Sequence, residues 1–270
     1  MKKILLALAA AAAFTGSAYA ADLPARMPVK AAPPPPPVAN WTGCYIGGGG
    51  GYGLWNQENQ GFFDPALARQ GAGPRFATTE TETTGGRGYF GTVQGGCDYQ
   101  FGLGSYQLVV GAFADGDWGN QRGTLNLPVS TLFGDEKLSS SWAVGGRVGW
   151  VVFPQLMTYF SGGYTQAHFD GVNFHNNFAP GAPTVAFFDS HTYNGWFIGG
   201  GDEYAVGFFP GLFWKTEYRL SEFNRADNIL RNATTGLPTG DVYATKKWDQ
   251  TIRSELVYRF NWGGPLVAKY

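Results

Sequence analysis

Between Trp41 and Trp262 the chain alternates apolar and polar positions with a period of two, in segments separated by turn-forming residues. That period belongs to β-strands, whose successive side chains point to opposite faces. In segment 245–262, Ile252, Leu256, Tyr258, Phe260 and Trp262 share one parity, while Arg253, Glu255, Val257 and Arg259 share the other. Segment 138–153 sets Trp142, Val144, Val148, Trp150 and Val152 against Arg147. Segment 211–225 sets Trp214, Tyr218 and Leu220 against Lys215, Glu217 and Arg219. The same pattern predicts further strands over 41–56, 86–101, 105–118, 155–169 and 191–208. Charges keep to one parity and can avoid lipid together. Asp202 breaks this rule, since it shares the parity of Trp196, Ile198 and Tyr204, and it needs a bulge or a rim position. The run Gly47–Gly51 leaves the faces of the first strand undefined.

The connections alternate in length. Segments 57–85, 119–137, 170–190 and 226–244 read as long loops, whereas Gly102-Leu103-Gly104, Phe153-Pro154-Gln155 and Phe209-Pro210-Gly211 read as tight turns. Four long loops and three short turns fit an even-stranded barrel with both termini on the periplasmic side. The predicted fold is all-β: an eight-stranded antiparallel up-and-down transmembrane β-barrel. Composition narrows the class in the same direction. Only 14% of residues are charged, where a soluble domain carries about 25%. The 41 glycines follow no three-residue period, which excludes a collagen-like chain. Past the N-terminus no apolar run reaches the roughly 18–20 residues of a spanning helix. A net charge of −1 without a basic run gives nucleic acid no purchase.

Residues 1–20 read as a secretory signal peptide, with Lys2 and Lys3, an apolar stretch and Ala18-Tyr19-Ala20 as cleavage site. Residues 21–40 read as a periplasmic spacer, because the five prolines Pro33 to Pro37 favour polyproline II. The barrel follows over 41–262 and a C-terminal tail over 263–270, and the expected location is the outer membrane.

The tryptophans sharpen the orientation. Trp55, Trp118, Trp142, Trp196 and Trp248 fall beside long loops, and Trp41, Trp150, Trp214 and Trp262 beside turns or termini. All are expected in two aromatic belts at the membrane interfaces. Trp142 and Trp150 are separated by roughly 26 Å of strand, which tilts to roughly 20 Å, near the apolar band of a barrel. Glycine is expected to curve the strands and to leave room for bulky lumen neighbours. No Gly-Lys-Ser/Thr follows the Gly47 run, so a phosphate cradle is not indicated.

Cys44 and Cys97 lie on adjacent antiparallel strands near the periplasmic rim, in a compartment that favours disulfides. A disulfide between them is expected, with two free buried thiols as the alternative. The inward charges Asp115, Asp117, Arg147, Lys215, Glu217, Arg219, Arg253, Glu255 and Arg259 are of mixed sign. Eight strands leave an interior only wide enough for side chains, so these charges must pair. They form either a salt-bridged plug or a narrow ion path opened by rearranging the pairs. His168, His175 and His191 match no strong ligand spacing and read as solvated loop residues. No nucleophile elbow, zincin motif or zinc-type cysteine spacing occurs. No catalytic, cofactor-binding or metal residue is therefore predicted.

The segments AAPPPPPVANWTGCYIGGGGGYG, GTVQGGCDYQF, VGGRVGW and SELVYRFNWGGPLVAKY resemble the alphaproteobacterial family of small outer-membrane β-barrel surface antigens. This family is also called outer-membrane immunogenic or porin-family proteins and is related to the barrel domain of OmpA. The likeness runs from the signal peptide to Tyr270, and its matching positions are Cys44, Cys97, Trp41-Thr42-Gly43 and the ending Tyr258-x-Phe260. It implies an eight-stranded outer-membrane barrel, abundant at the surface, with structural and antigenic roles. Two departures stand out. Residues 263–270 follow Trp262, so the assembly signal falls to Tyr258 and Phe260 or to Tyr270. Phe113 also occupies a position where an inward acid would be natural beside Asp115 and Asp117. The expected partners are outer-membrane lipid and lipopolysaccharide, the barrel-assembly machinery during biogenesis, and other surface proteins. The expected function is structural and surface-exposed without catalysis. The rival readings are a narrow porin-like channel and a secreted lipocalin-type binding barrel.

Overall fold

Strands with one apolar and one polar face bury the polar face only by closing on themselves when the outside is lipid. The computed structural model, described for residues 39–127, 131–176 and 181–260, shows that closure. Its strands are β1 (Gly43–Phe63), β2 (Phe76–Leu103), β3 (Tyr106–Asn126), β4 (Phe133–Phe153), β5 (Leu156–Phe169), β6 (Val172–His175), β7 (Thr184–Phe188), β8 (His191–Ala205), β9 (Leu212–Phe223), β10 (Ala226–Asn232) and β11 (Pro238–Phe260). Eight of them, β1-β2-β3-β4-β5-β8-β9-β11, form an antiparallel ring. β11 returns to β1 in continuous register from Cys44↔Phe260 to Phe63↔Asp241.

The other three strands extend the same wall. β6, β7 and β10 continue β5, β8 and β9 beyond short breaks at 170–171, 189–190 and 224–225. They pair in the order β4–β6–β7–β10–β11, so the ring persists above the breaks. The segments that sequence assigns to long loops are therefore largely strand. Gln57–Phe63 pairs with Phe76–Thr84, and the outer connections shrink to 64–75, 127–132, 176–183 and 233–237. The reason is physical. Above the lipid the outward positions face water and no longer need apolar side chains, so the period-two signal fades while the ladder continues. Thr78–Thr84 are mostly β-branched threonines, good strand formers that read as loop only by polarity. At the periplasmic end the connections are Gly104-Ser105, Pro154-Gln155 and 206–211. Gly104 and Gly211 take the left-handed backbone there, with φ of 62° and 85°.

Outward positions in the membrane band are apolar, as the parities of β4, β9 and β11 predict. Val144, Val148, Trp214, Tyr218, Ile252 and Leu256 are exposed, and Arg147, Lys215, Glu217, Arg219, Arg253, Glu255 and Arg259 are buried. Asp202 is exposed at the periplasmic rim, in unbroken register with Thr158 and Thr216, and accepts a 2.6 Å hydrogen bond from Thr158 Oγ1. A rim position rather than a bulge accommodates it. The glycine run of β1 has a clear use. A Cβ on Gly51 would strike the Phe90 ring and one on Gly53 the Gln121 amide, so glycine here leaves the lumen to side chains from other strands. Cys44 and Cys97 are direct cross-strand partners on the outer face and form a disulfide. The signal segment 1–20, the spacer up to residue 38, Trp262 and the tail 263–270 lie outside the described residues.

Candidate functional site in the barrel interior

The lumen is built in layers, and the alternation of each strand decides which residues enter it. Nearest the periplasm, Trp41, Val109, Phe213 and Val257 pack into an apolar floor, with the Trp41 and Phe213 rings 5.8 Å apart. On that floor sits a four-charge square. Arg147 donates to Asp98 Oδ1 at 2.9 Å and to Glu203 Oε2 at 2.9 Å. Arg259 donates to Asp98 Oδ2 at 2.6 Å, to Glu203, and to the Trp41 carbonyl at 2.6 Å. The Tyr45 ring covers both guanidinium groups, at 4.7 Å from Arg147 and 4.8 Å from Arg259. Two cations and two carboxylates thus balance where no water reaches them. Guanidinium suits this role because its planar fork serves two carboxylates at once.

A larger network lies above. Glu217 is shared by Lys215 at 3.2 Å, Arg219 at 2.8 Å and the Tyr159 hydroxyl at 2.8 Å. Asp115 accepts from Arg219 at 2.8 Å and lies 3.4 Å from Arg253, which also meets Asp117 at 3.0 Å. Gln94 bridges Lys215 to Glu255. Phe113 faces inward and packs 6.0 Å from Phe197, with Arg219 4.3 Å from the Phe197 ring. The position where an acid seemed natural therefore supplies a ring for the cations beside it. Asp249 is buried in this layer as well, and among the described residues neither it nor Glu255 forms an ion pair.

The outer layers are different in kind. Lys247 meets Glu136 at 2.7 Å and Gln57, and sits among Phe169 at 4.0 Å, Trp55 at 5.1 Å and Tyr193 at 5.1 Å. Above it, Leu125, Leu127, Val172, Phe174, Ala186, Phe188, Leu230 and Tyr243 close the extension with an apolar core. Two internal cavities, one beside Asp117 and Asp249 and one beside Glu136 and Asn228, each hold ≈ 10 Å³. That is room for about one water apiece. The charged side chains of these layers are buried among the described residues.

No protein-family profile matches the chain. Over 232 residues it is 30% identical to the 31 kDa outer-membrane immunogenic protein of Brucella melitensis, covering 85% of this chain and 90% of that protein. It belongs to that family of outer-membrane immunogenic proteins. The protein of the same name from Brucella suis matches with the same identity and coverage. Among solved structures, Neisserial surface protein A aligns over 77% of this chain and 97% of its own, at 12% identity and a TM-score of 0.37. Family membership places this immunogenic-family barrel in the outer membrane.

The aromatic belts of this family member need one correction. Trp118, Trp142, Trp150, Trp196 and Trp214 are exposed on the outer wall, and Trp248 is half-buried on the same face. Trp41 and Trp55 are not belt residues: they are 0% and 2% exposed, against 59% for Trp118. Trp55 stands on the inward parity of β1 and donates Nε1–H to the Gln121 carbonyl at 3.3 Å. Nearness to a strand end fixed the height of these indoles but not their face, because the glycine run hid the parity.

Each predicted lumen charge lies inside the barrel, and ion pairs join all of them except Glu255. Sequence reading missed Asp98, Glu136, Glu203, Lys247 and Asp249. Parity was the available signal for Glu203, since it is the neighbour of the outward Asp202, and for Asp98, the neighbour of Cys97. Lys247 and Asp249 share the inward parity of Arg253 within the predicted strand 245–262, whereas Glu136 belongs to strand that read as loop, where no parity was assigned. His168 accepts or donates at 2.9 Å with Thr192 Oγ1, and His191 stacks edgewise on Tyr193 at 4.6 Å. Burial, helped by the charges of Lys247 and His168, holds the His191 imidazole below its ordinary pKa.

Proposed function

We propose that this outer-membrane immunogenic protein is a structural, surface-displayed barrel whose interior is a plug, without catalytic activity and without a resting conductance. The observation that carries this is the Asp98–Arg147–Glu203–Arg259 square seated on the Trp41 floor. A permeating ion would have to break balanced buried pairs, and each unpaired charge left behind costs several kcal/mol. Apart from Asp249 and Glu255, the inward charged groups of the spanning layers are engaged in ion pairs with one another, which supports a structural over a catalytic role. The apolar outer wall supports contact with outer-membrane lipid and lipopolysaccharide over the lipocalin-type reading. Tyr258 and Phe260, adjacent at 5.1 Å at the end of β11, are the residues offered to the assembly machinery.

The narrow-channel reading draws on the two carboxylates, Asp249 and Glu255, that carry no cation partner. Planar-bilayer recording on the folded full chain separates the readings. The plug predicts no unitary steps from wild type, and none from Glu217→Gln or Arg253→Gln in bilayers where folded protein is verified by heat-modifiable migration. Regular single-channel steps in wild type, altered by either substitution, would establish the channel instead.

A further inference from the structure

The outer wall carries a charge arrangement that the plug does not use. Arg87 of β2 stands in direct cross-strand register with Arg122 of β3, and Arg122 stands in register with Lys137 of β4. Arg87 and Arg122 are exposed and Lys137 is half-buried, so the row lies on the outside of the barrel. Like charges directly opposite one another on a ladder repel. Among the described residues, neither arginine meets a carboxylate: Arg122 Nε donates to Asn120 Oδ1 at 2.6 Å, and Lys137 alone is balanced, by Asp170 at 3.3 Å. The row therefore holds two uncompensated guanidinium groups side by side.

Its height is fixed by register. Gly91 of β2 pairs with Trp118, and the next outward positions on β2 are Tyr89 and then Arg87. Two such steps along a tilted strand rise roughly 10 Å above the tryptophan belt, where hydrocarbon has given way to headgroups. Below the row the exposed rings of Tyr89 and Trp118 face the lipid boundary, and above it stand Gly85, Thr124 and the exposed Asp135 in register with Thr124. Three strands at about 4.8 Å spacing spread the cations over roughly 10 Å. A headgroup bearing more than one phosphate fits that span better than a single phosphodiester, and the arginine fork grips phosphate oxygens two at a time.

We propose that Arg87, Arg122 and Lys137 form a docking site for the phosphate groups of a phosphorylated outer-leaflet glycolipid, whose acyl chains lie along the apolar wall below. The proposal rests on the outer-membrane location and on the contact with lipopolysaccharide proposed above, and is independent of whether the interior conducts. It makes the barrel wall, rather than its lumen, the ligand-binding surface.

The test is native mass spectrometry of the folded full chain in detergent, with diphosphoryl lipid A, dephosphorylated lipid A and phosphatidylglycerol as probes. Wild type is expected to retain diphosphoryl lipid A at least about tenfold better than the dephosphorylated form, since one charge-assisted contact supplies more than that factor. The variant Arg87→Gln/Arg122→Gln/Lys137→Gln is expected to lose this preference. The control Lys246→Gln, at a cation already paired with Glu222 at 2.6 Å, is expected to keep it. If the triple variant does not fold, as judged by heat-modifiable migration, the single Arg122→Gln replaces it with an expected partial loss. Equal retention of dephosphorylated lipid A, unchanged binding by the folded variants, or equal binding of phosphatidylglycerol would each overturn the site. Conductance recordings bear on the plug alone, so failure of one reading leaves the other standing.

Discussion

The lower and upper halves of this barrel are built by the same strands with opposite polarity. In the membrane band the inside is charged, with Arg147, Lys215, Arg219, Arg253 and Arg259 among carboxylates, and the outside is apolar. In the extension formed by β6, β7, β10 and the outer ends of β1–β4 and β11, the inside is apolar, with Val172, Phe174, Phe188 and Leu230. There the outside carries Arg75, Asp189, Asp227 and Arg231, paired on the surface at 2.6 Å and 2.8 Å. The switch falls near the Lys247 cage, where one ion pair is wrapped in aromatic rings. Solvent explains it. Lipid satisfies apolar side chains and forces polar ones inward, whereas water reverses both preferences. The extension is held together as a soluble β-protein is, and the spanning part by networks that must be complete.

The two halves should therefore fail differently. The largest effect is expected from Arg259→Met, which leaves Asp98 and Glu203 with one cation between them. Breaking a buried pair from one side costs about 3–5 kcal/mol, read as a drop in the temperature at which heat-modifiable migration is lost. A smaller and more local loss is expected from Leu230→Ala in the apolar upper core, about 2–3 kcal/mol for a truncated buried leucine. Limited proteolysis should show the extension opening while the spanning ring stays folded. If Leu230→Ala lowers the global unfolding temperature as much as Arg259→Met does, the halves are one cooperative unit and the contrast drawn here is wrong. The smallest effect concerns pH. His191 has its imidazole pKa lowered by burial in the folded state, so its contribution is present above the unfolded value near 6.5 and is lost as pH falls below it. Proteolysis of the extension should quicken between pH 7.5 and 5.5, and His191→Gln should blunt that change.

How far the sequence reached follows the same boundary. Where lipid imposed alternation, parity put Arg147, Glu217, Arg219, Arg253 and Arg259 inside and Trp142, Trp150 and Trp214 outside, as the structure has them. Where water covers the wall, alternation loses its apolar half, and strand such as Thr78–Thr84 reads as loop. Glycine blurred the remainder: with Gly47 to Gly51 lacking side chains, the face of Trp55 was undecided.

The residues themselves thus determined the barrel, its strand order, its orientation and the pairing of Cys44 with Cys97 across adjacent strands, because each rests on local period and on neighbours in sequence. Only the closed structure decided which charges meet. Arg259 and Asp98 are 161 positions apart and meet over the intervening β1, a contact set by ring closure and stagger rather than by any local pattern. The same closure brought Arg87, Arg122 and Lys137 into one row on the outer wall, since register between strands is a property of the assembled sheet.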